Sequence, residues 1–297
     1  MHPVRALLDL PRRRQAAALS ALRHSVDVPT GEGWNTRFGP TSLFDAWTRT
    51  TLMTQLYAAN RAALAPVVTR RPFRIVEIGG GNGRLWEGFL PPEAEGELVV
   101  VDPMPDVHAE VARVLPPGVR LTPIHARVED AHLPVSDAVV CSLTLHHVAG
   151  ADALEREHHG LVGPGKLEVL RQLAASVRPR QGFIVLNEAD VYCDLALAPG
   201  DPVLEDQLLD SYVRRCAHAL LDDLAAAEGE EARRLDAILW RWCVDQVALA
   251  HAPREQRDVY ELDVSRWLAL FRRAELRVTE RRFTDDFGLF CQYLLAF

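Results

Sequence analysis

A run of glycines directly after an apolar, β-branched segment is the feature of this chain that points most clearly to chemistry. In VEIGGGNG, which follows FRI, the small residues are Gly79, Gly80, Gly81 and Gly83. Residues without a side chain let the backbone turn sharply and let a ligand approach closely. An acidic residue, Glu77, precedes the first glycine by two positions. A carboxylate there would repel a pyrophosphate but could hold the ammonium group of an amino-acid ligand.

The spacing of these glycines differs from that of the dinucleotide-binding fingerprint. That fingerprint is G-x-G-x-x-G, whereas this chain has G-x-G-x-G. The segment, with the features that follow it in order, resembles motif I of the class I S-adenosylmethionine-dependent methyltransferases. The resemblance implies that Glu77 and the four glycines bind S-adenosylmethionine, with S-adenosylhomocysteine as the product. An NAD-dependent dehydrogenase is disfavoured by the same spacing and by Glu77.

A second carboxylate ends the next apolar segment, ELVVVDP. Asp102 at the tip of a strand could accept both hydroxyls of a ribose. The alternative is that Asp102 caps the helix that follows. Met104 could flank the adenine, although a methionine is more often a packing residue.

The resemblance also implies an acidic residue near the adenine amino group, after the third predicted strand. Two registers compete in HARVEDAHLP: Leu133-Pro134 favours Glu129, whereas the D-A-H sequence favours Asp130. Both residues are kept as candidates. Val128 would offer the ring an apolar edge and a backbone contact.

Two histidines follow the fourth predicted strand in DAVVCSLTLHHV. Ser142 and Leu143 would lie at its carboxyl end, where open α/β sheets bind ligands, and we expect both to contact the cofactor. Methyl transfer from a sulfonium needs alignment in a dry site, and a base is optional. If the acceptor is a hydroxyl, His146 or His147 could take its proton. The alternative is structural, with one histidine filling or capping the next loop.

Other polar residues suggest three further kinds of site: a metal site, a phosphate-binding loop and an acceptor-orienting rim. No metal site is predicted at His158 and His159. GPGK lacks the longer P-loop pattern, since Leu167 stands where a serine or threonine is required. At the end of the fifth predicted strand, Asn187, Glu188 and Asp190 are expected on the surface, where they could orient an acceptor or act as ordinary caps.

The elements that position these residues alternate in the manner of a parallel sheet. The predicted strands lie in FRIVEI, ELVVVD, VRLTPIHA, DAVVCSL, GFIVLNE, RVTERRF and LFCQYLLAF. Runs of consecutive apolar residues are typical of strands buried on both faces. We expect an α/β, Rossmann-like, seven-stranded and mostly parallel sheet with helices on both faces, and a final antiparallel hairpin. A helix is expected to begin near Arg84, after the glycines.

Two helical regions flank this core. Residues 1–70 are predicted to form an N-terminal cap, with one helix over residues 41–64 capped by Thr41 or Ser42. Residues 71–297 form the core, interrupted by a helical insertion at about 191–258. Aromatic residues of both regions could form a lid or belong to the core: Trp34, Phe38, Trp47, Tyr57, Tyr192, Tyr212, Trp240 and Trp242.

Composition excludes several classes of partner. The formal net charge of −8 gives no general attraction to nucleic acid, and we interpret Arg12-Arg13-Arg14 as a solvated helix face. Five scattered cysteines without a C-x-x-C pair favour a reducing, cytoplasmic compartment. The apolar stretch that ends at Pro11 is too short for a signal peptide or a spanning helix, so no membrane partner is expected.

The predicted function is methyl transfer to the oxygen or nitrogen of a small-molecule acceptor, in specialised-metabolite biosynthesis. The helical regions on both sides of the cleft favour a small, partly apolar acceptor over a macromolecule. The alternative is a non-catalytic binding or scaffold protein with the same fold. A homodimer formed through the N-terminal helices is left open by the sequence.

Overall fold

The computed structural model describes residues 3–11, 14–15, 17–18, 39–40, 42–162, 165–257 and 259–296, with the backbone alone at 242–250 and 256. Arg12, Arg13, Trp34, Phe38 and Thr41, which the sequence singled out, lie outside the described residues. The side chain of Trp242 is likewise not described.

One mixed sheet organises the described part of the chain. Its strands are β1 (Phe73–Ile78), β2 (Gly96–Val101), β3 (Val119–Ile124), β4 (Ala138–Ser142), β5 (Phe183–Ala189), β6 (Arg277–Phe283) and β7 (Phe290–Ala296). They lie in the order β3-β2-β1-β4-β5-β7-β6. Strands β1 to β5 pair in parallel, whereas β7 is antiparallel to both of its neighbours. The predicted seven-stranded, mostly parallel sheet with a final hairpin is confirmed.

Helices cover both faces of this sheet. They are α1 (Pro3–Leu8), α2 (Leu43–Thr48), α3 (Thr51–Val68), α4 (Pro105–Val114), α5 (Ala153–Glu157), α6 (Gly165–Ala175), α7 (Pro202–Leu208), α8 (Arg214–Ala226), α9 (Gly229–His251) and α10 (Val264–Arg273). One apolar core packs α3 and α4 against β1 and β2, for example through Val67 and Val107. The opposite core packs α6 and α10 against the sheet through Leu170 and Phe271. The central strands are therefore buried on both faces, as their continuous apolar runs predict.

A third core joins the N-terminal helices to the insertion between β5 and β6. It holds Leu52 from α3, Leu220 from α8 and Leu239 from α9, together with Ala189 at the carboxyl end of β5. Among the aromatic residues that the sequence singled out, Trp47, Tyr212 and Trp240 are buried in this core, whereas Tyr192 is exposed. The two helical regions thus pack on each other above the end of the sheet where ligands bind in open α/β folds.

The single helix predicted over residues 41–64 is in fact two helices. Ser42 caps α2, and its hydroxyl oxygen accepts a hydrogen bond from the Asp45 amide at 3.0 Å. At Thr50 the backbone turns to an extended conformation, with ψ of 157°, and α3 begins at the next residue. Because the Thr50 hydroxyl donates to the Trp47 carbonyl at 2.8 Å, the side chain satisfies the end of α2 and the helices separate there.

The helix predicted from Arg84 is wrong. Residues 84–89 form consecutive turns, with Gly88 in the left-handed region at φ +67°. The carbonyl oxygens of Arg84 and Leu85 accept hydrogen bonds from the Arg61 guanidinium at 2.6 and 2.8 Å. A helix would pair those carbonyls with backbone amides four residues on, so Arg61 of α3 replaces the helical bonds.

None of the helices in the described residues combines the length and the apolar character that a membrane span requires.

Candidate active site

The four glycines after β1 have two different environments. Gly79, Gly81 and Gly83 lie in the left-handed region, at φ of +76°, +54° and +76°. A Cβ on Gly80 would lie 2.7 Å from Val100, and one on Gly83 would lie 3.1 Å from the Cα of Val111. These two glycines therefore allow β2 and α4 to approach the loop.

The other two glycines border residues outside the β1-to-α4 unit. A Cβ on Gly79 would lie 2.3 Å from the Thr144 hydroxyl oxygen, beyond β4. A Cβ on Gly81 would lie 3.2 Å from the Phe44 ring of α2. The sequence predicts neither the contact of Thr144 with Gly79 nor that of Phe44 with Gly81. The loop is thus enclosed by the end of β4 and by the N-terminal region.

An acidic residue fixes α2 to the glycine loop. Asp45 is 3% exposed, and its Oδ1 accepts hydrogen bonds from Asn82 at 3.1 Å and Arg84 at 2.7 Å. Its Oδ2 accepts from Arg49 at 2.9 Å. The contacts of Asp45 with Asn82 and Arg84 are not predicted from the sequence. The available signal was an acidic residue between the apolar residues of LFDAW, on the helix face that packs inward.

Glu77 is a buried carboxylate that accepts a side-chain hydrogen bond from the described residue Trp86. It is 5% exposed, and its Oε2 accepts one hydrogen bond from the Trp86 indole at 2.7 Å. Burial, together with the nearby charge of Asp102, raises the pKa of Glu77 to about 8, although the indole bond acts in the opposite direction. A cationic group beside Glu77 would offset both the desolvation and the repulsion from Asp102.

Asp102 lies at the carboxyl end of β2, where the sequence places it. Its Oδ1 accepts a hydrogen bond from the Met104 amide at 2.8 Å, and the Gly80 amide also bonds to the carboxylate. Burial raises the pKa of Asp102. The N-cap of α4 is Met104, so Asp102 stabilises the turn before the helix and is not its cap. Met104 is half-buried at the same corner.

The segment predicted to contact adenine follows β3 as one turn of 3₁₀ helix, Val128–Asp130. Val128 is buried against the sheet, whereas Glu129 and Asp130 are both exposed. Because both residues are exposed, the structure does not distinguish Glu129 from Asp130 as the candidate for the adenine amino group.

A buried amide network lies behind the end of β4. The Ser142 hydroxyl oxygen accepts from the side-chain amides of Asn60 at 2.9 Å and Asn187 at 3.2 Å. The Gln292 amide donates to both asparagine oxygens, at 2.8 and 3.2 Å. The prediction that Asn187 lies on the surface is wrong, because it is fully buried. Since the network engages the Ser142 side chain, Ser142 and its neighbour Leu143 can offer a ligand mainly backbone atoms.

Glu188 is also buried, contrary to expectation. It organises the one-turn 3₁₀ helix Leu145–His147, the histidine turn. It is 1% exposed, and its Oε1 accepts the amides of Thr144 and Leu145 at 3.1 and 2.7 Å. Its Oε2 lies 2.9 Å from His146 Nδ1. The rim position inferred for Glu188 fails because a strand alternates its side chains, and β5 has helices on both faces. An acid at the end of an apolar strand was the signal.

The contact with Glu188 fixes the state of His146. Burial alone would lower the pKa of His146, but the charge and hydrogen bond of Glu188 raise it above the ordinary 6.5. With the Nδ1 proton directed at the carboxylate, the lone pair of the neutral ring lies on Nε2. The His147 ring centre lies 4.2 Å from that of His146, at an interplanar angle of 51°. The two histidines therefore meet at the carboxyl end of β4, and His146 contacts Glu188 there.

Lys166 supports the same turn from behind. It is fully buried, and its ammonium group donates to the carbonyls of Val148 at 2.6 Å and His159 at 2.9 Å. Burial lowers the pKa of Lys166 to about 7. Lys166 is thus a structural residue that ties the loop after His147 to α6.

Comparisons with known proteins agree with this geometry at the level of the fold. No protein-family model and no curated protein sequence matches the chain. Solved structures do match it. An S-adenosylmethionine-dependent methyltransferase from Leishmania major superposes with a TM-score of 0.50 at 14% identity, over 95% of this chain and 91% of that chain.

Two further structures are similar at lower scores. The 1,6-didemethyltoxoflavin-N1-methyltransferase of Burkholderia thailandensis has a TM-score of 0.48 and 17% identity, over 96% of this chain and 90% of its own. The N-methyltransferase NodS of Bradyrhizobium japonicum has a TM-score of 0.42 and 11% identity, over 80% and 94%. The fold of this chain is that of the class I S-adenosylmethionine-dependent methyltransferases.

Proposed function

We propose that this chain binds S-adenosylmethionine and transfers its methyl group to a small-molecule acceptor. The observation that carries the proposal is the buried carboxylate of Glu77 beside Gly79 and Gly81. A buried acid with a raised pKa, next to a turn of glycines in the left-handed region, suits the ammonium group of an amino-acid ligand. When bound, S-adenosylmethionine supplies an electrophilic methyl group on a sulfonium.

Each part of the cofactor has a candidate partner in this chain. Glu77 would hold the ammonium group, and Asp102 the ribose hydroxyls. Met104 and Val128 would contact the adenine, with Glu129 or Asp130 at its amino group. Gly79, Gly81 and the backbone of Ser142 and Leu143 would border the methionine part of the cofactor.

The histidine turn would serve the acceptor. His146 has a lone pair on Nε2 when neutral, so it can take the proton that an acceptor hydroxyl gives up. Glu188 is then a positioning residue, since it fixes the tautomer and stabilises the protonated ring. His147 is the second candidate for the base, because it lies in the same turn and its ring adjoins that of His146.

The covering helices support a small acceptor. Helices α2 and α3 share a core with the insertion helices above the carboxyl end of β5. A cleft covered in this way excludes water from the reacting groups and suits a partly apolar molecule better than a folded macromolecule. We include a role in specialised-metabolite biosynthesis, O- or N-methylation, and a cytosolic location in the proposal. Dimerisation through the N-terminal helices stays a prediction.

Calorimetric titration with S-adenosylhomocysteine tests the proposal. We expect the unmodified chain to bind, and Asp102→Ala and Gly81→Val to abolish binding. Asp106→Ala, an exposed carboxylate four residues after Asp102, is the matched control and should bind normally. Unchanged affinity in both site variants would refute the proposal. Binding without turnover on any hydroxyl or amine acceptor would favour the non-catalytic alternative.

A further inference from the structure

A small cavity lies beside the histidine turn. Its apolar walls are Val191, Cys193, Leu208 and Val259, and its polar walls are His159, Arg257 and Glu261. It has room for a group about the size of one water molecule. The cavity is formed where the segment after β5, helix α7 and the segment before α10 meet.

The cavity adjoins the His146–Glu188 pair. The Tyr260 amide, next in the chain to Glu261, donates to the His146 carbonyl at 2.7 Å. The charges of His146 and Glu188 both act on the Glu261 carboxyl group. Glu261 therefore lies between the cavity and the turn that we propose to serve the acceptor.

His159 presents an unpaired acceptor to this cavity. Its side chain is 2% exposed, and its Nδ1 lies 2.9 Å from the Glu261 carbonyl oxygen. A carbonyl can only accept, so Nδ1 carries the ring proton and the lone pair is on Nε2. No described residue donates a hydrogen bond to Nε2. Burial lowers the pKa of His159 to about 3, so the ring stays neutral.

The other polar walls favour the same kind of ligand group. Glu261 accepts a hydrogen bond from the Tyr212 hydroxyl, while burial and the charge of Glu188 raise the pKa of its carboxyl group to about 7. Arg257 is buried, and its guanidinium donates to the Ala252 carbonyl at 3.2 and 3.3 Å. One unpaired acceptor, His159 Nε2, with apolar residues on the other walls suits a single hydroxyl group at the end of an apolar body.

We propose that this cavity is a subsite of the acceptor pocket, and that it takes a hydroxyl of an apolar, phenol-like acceptor as a hydrogen-bond donor to His159 Nε2. The inference rests on the proposed function and specifies its substrate class. An unsatisfied buried acceptor is unfavourable, because it has lost its hydrogen bonds to water. A ligand that supplies the missing donor should therefore bind more tightly than one of equal shape that cannot.

The test compares phenol with toluene, two molecules of nearly the same shape, on protein saturated with S-adenosylhomocysteine. We expect phenol to bind the unmodified chain about tenfold more tightly, which corresponds to about 1.4 kcal/mol. His159→Leu should remove the preference. His158→Leu, which changes the half-buried neighbour outside the cavity, should keep it. Equal binding of the two probes, or a preference that survives His159→Leu, would overturn the inference.

A second measurement does not depend on the folding of a variant. In the unmodified chain with ¹⁵N-labelled histidine, phenol should shift the unprotonated nitrogen resonance of His159, and toluene should not. An unmoved resonance contradicts the subsite. If S-adenosylhomocysteine itself does not bind, the proposed function fails instead, so the two failures can be told apart.

Discussion

Arg84 donates from its Nη2 to the Oδ1 of Asp45 over 2.7 Å, and so joins a helix of the N-terminal region to the glycine loop. The two side chains are 16% and 5% exposed, so the ion pair is largely shielded from solvent. The same Asp45 oxygen accepts from Asn82, inside the loop. Asp45 therefore helps to hold Phe44 over Gly81, together with the Thr48 hydroxyl, which accepts from Asn82 at 2.9 Å.

Asp45→Ala should loosen this contact and lower two quantities. Removal of one partner of a buried pair costs about 3–5 kcal/mol, and the lower end applies here because Arg84 keeps its ion pair with Glu87. We expect a loss of about 3 kcal/mol in the free energy of unfolding. Affinity for S-adenosylhomocysteine should also fall, because α2 no longer encloses the loop. Urea denaturation and calorimetry measure the two effects. Glu230→Ala, which breaks an exposed ion pair with Arg233, is the control and should change neither.

Gly79→Ala should abolish cofactor binding, whereas Gly88→Ala should not. Both residues have positive φ, +76° and +67°. Left-handed backbone alone costs a non-glycine residue about 1–2 kcal/mol. Only at Gly79 would the new Cβ also meet another residue, at 2.3 Å from the Thr144 hydroxyl, while nothing lies within 4 Å at Gly88. Melting temperatures and titrations of the two variants give the comparison. Equal effects would mean that contact with Thr144 is unimportant.

Glu77→Gln should stabilise the ligand-free chain at alkaline pH while it abolishes cofactor binding. The pKa of Glu77 is raised from 4.5 to about 8, so between these values the folded chain holds a proton that the unfolded chain has lost. Stability therefore falls as pH rises through this window, by at most about 1.4 kcal/mol per pH unit. In Glu77→Gln the slope should become less steep by the Glu77 contribution, while that of Glu261, whose pKa is raised to about 7, stays. Urea denaturation from pH 5 to 8 measures it, and Glu95→Gln, an exposed acid, should leave the slope unchanged.

Glu188→Gln should lower the pKa of His146. The carboxylate charge that raises this pKa is lost, while the burial that lowers it stays. Since the folded-state pKa lies above the unfolded 6.5, the pair stabilises the chain at pH below 6.5 and loses that effect as pH rises through the folded value. Titration of the His146 ring by NMR, assigned with His146→Gln, measures the shift. If the pKa is unaltered, Glu188 does not tune this ring. Asp190→Asn, two residues along, serves as the control.

Much of the fold could be predicted from the sequence because the signals are local. Strand β2 can be recognised by consecutive apolar residues at 98–101, and the glycines after β1 predict a tight turn. The same locality explains the error at Arg84. Helix periodicity in the following residues does not reveal that Arg61, more than twenty positions earlier, takes their carbonyls.

The site was less accessible to sequence reasoning for a related reason. Asn187 and Glu188 are adjacent polar residues at the end of a strand, a pattern typical of a surface. In the structure one completes an amide network with Asn60 and the other binds the turn at His146. Burial of polar residues depends on partners that are distant in the chain, and these partners follow only from the assembled sheet and helices.

Strand β7 is the last strand in chain order, yet it lies inside the sheet, where it pairs with β5 on one side and β6 on the other. During synthesis, β5 lacks its second neighbour until Phe290–Ala296 has left the ribosome, and Gln292 cannot yet join Asn60 and Asn187. An open strand edge invites pairing with other chains. A nascent chain that stalls before Phe290 would therefore expose the unpaired edge of β5 to other chains. Chaperones and proteases would act on such a chain before any ligand could bind.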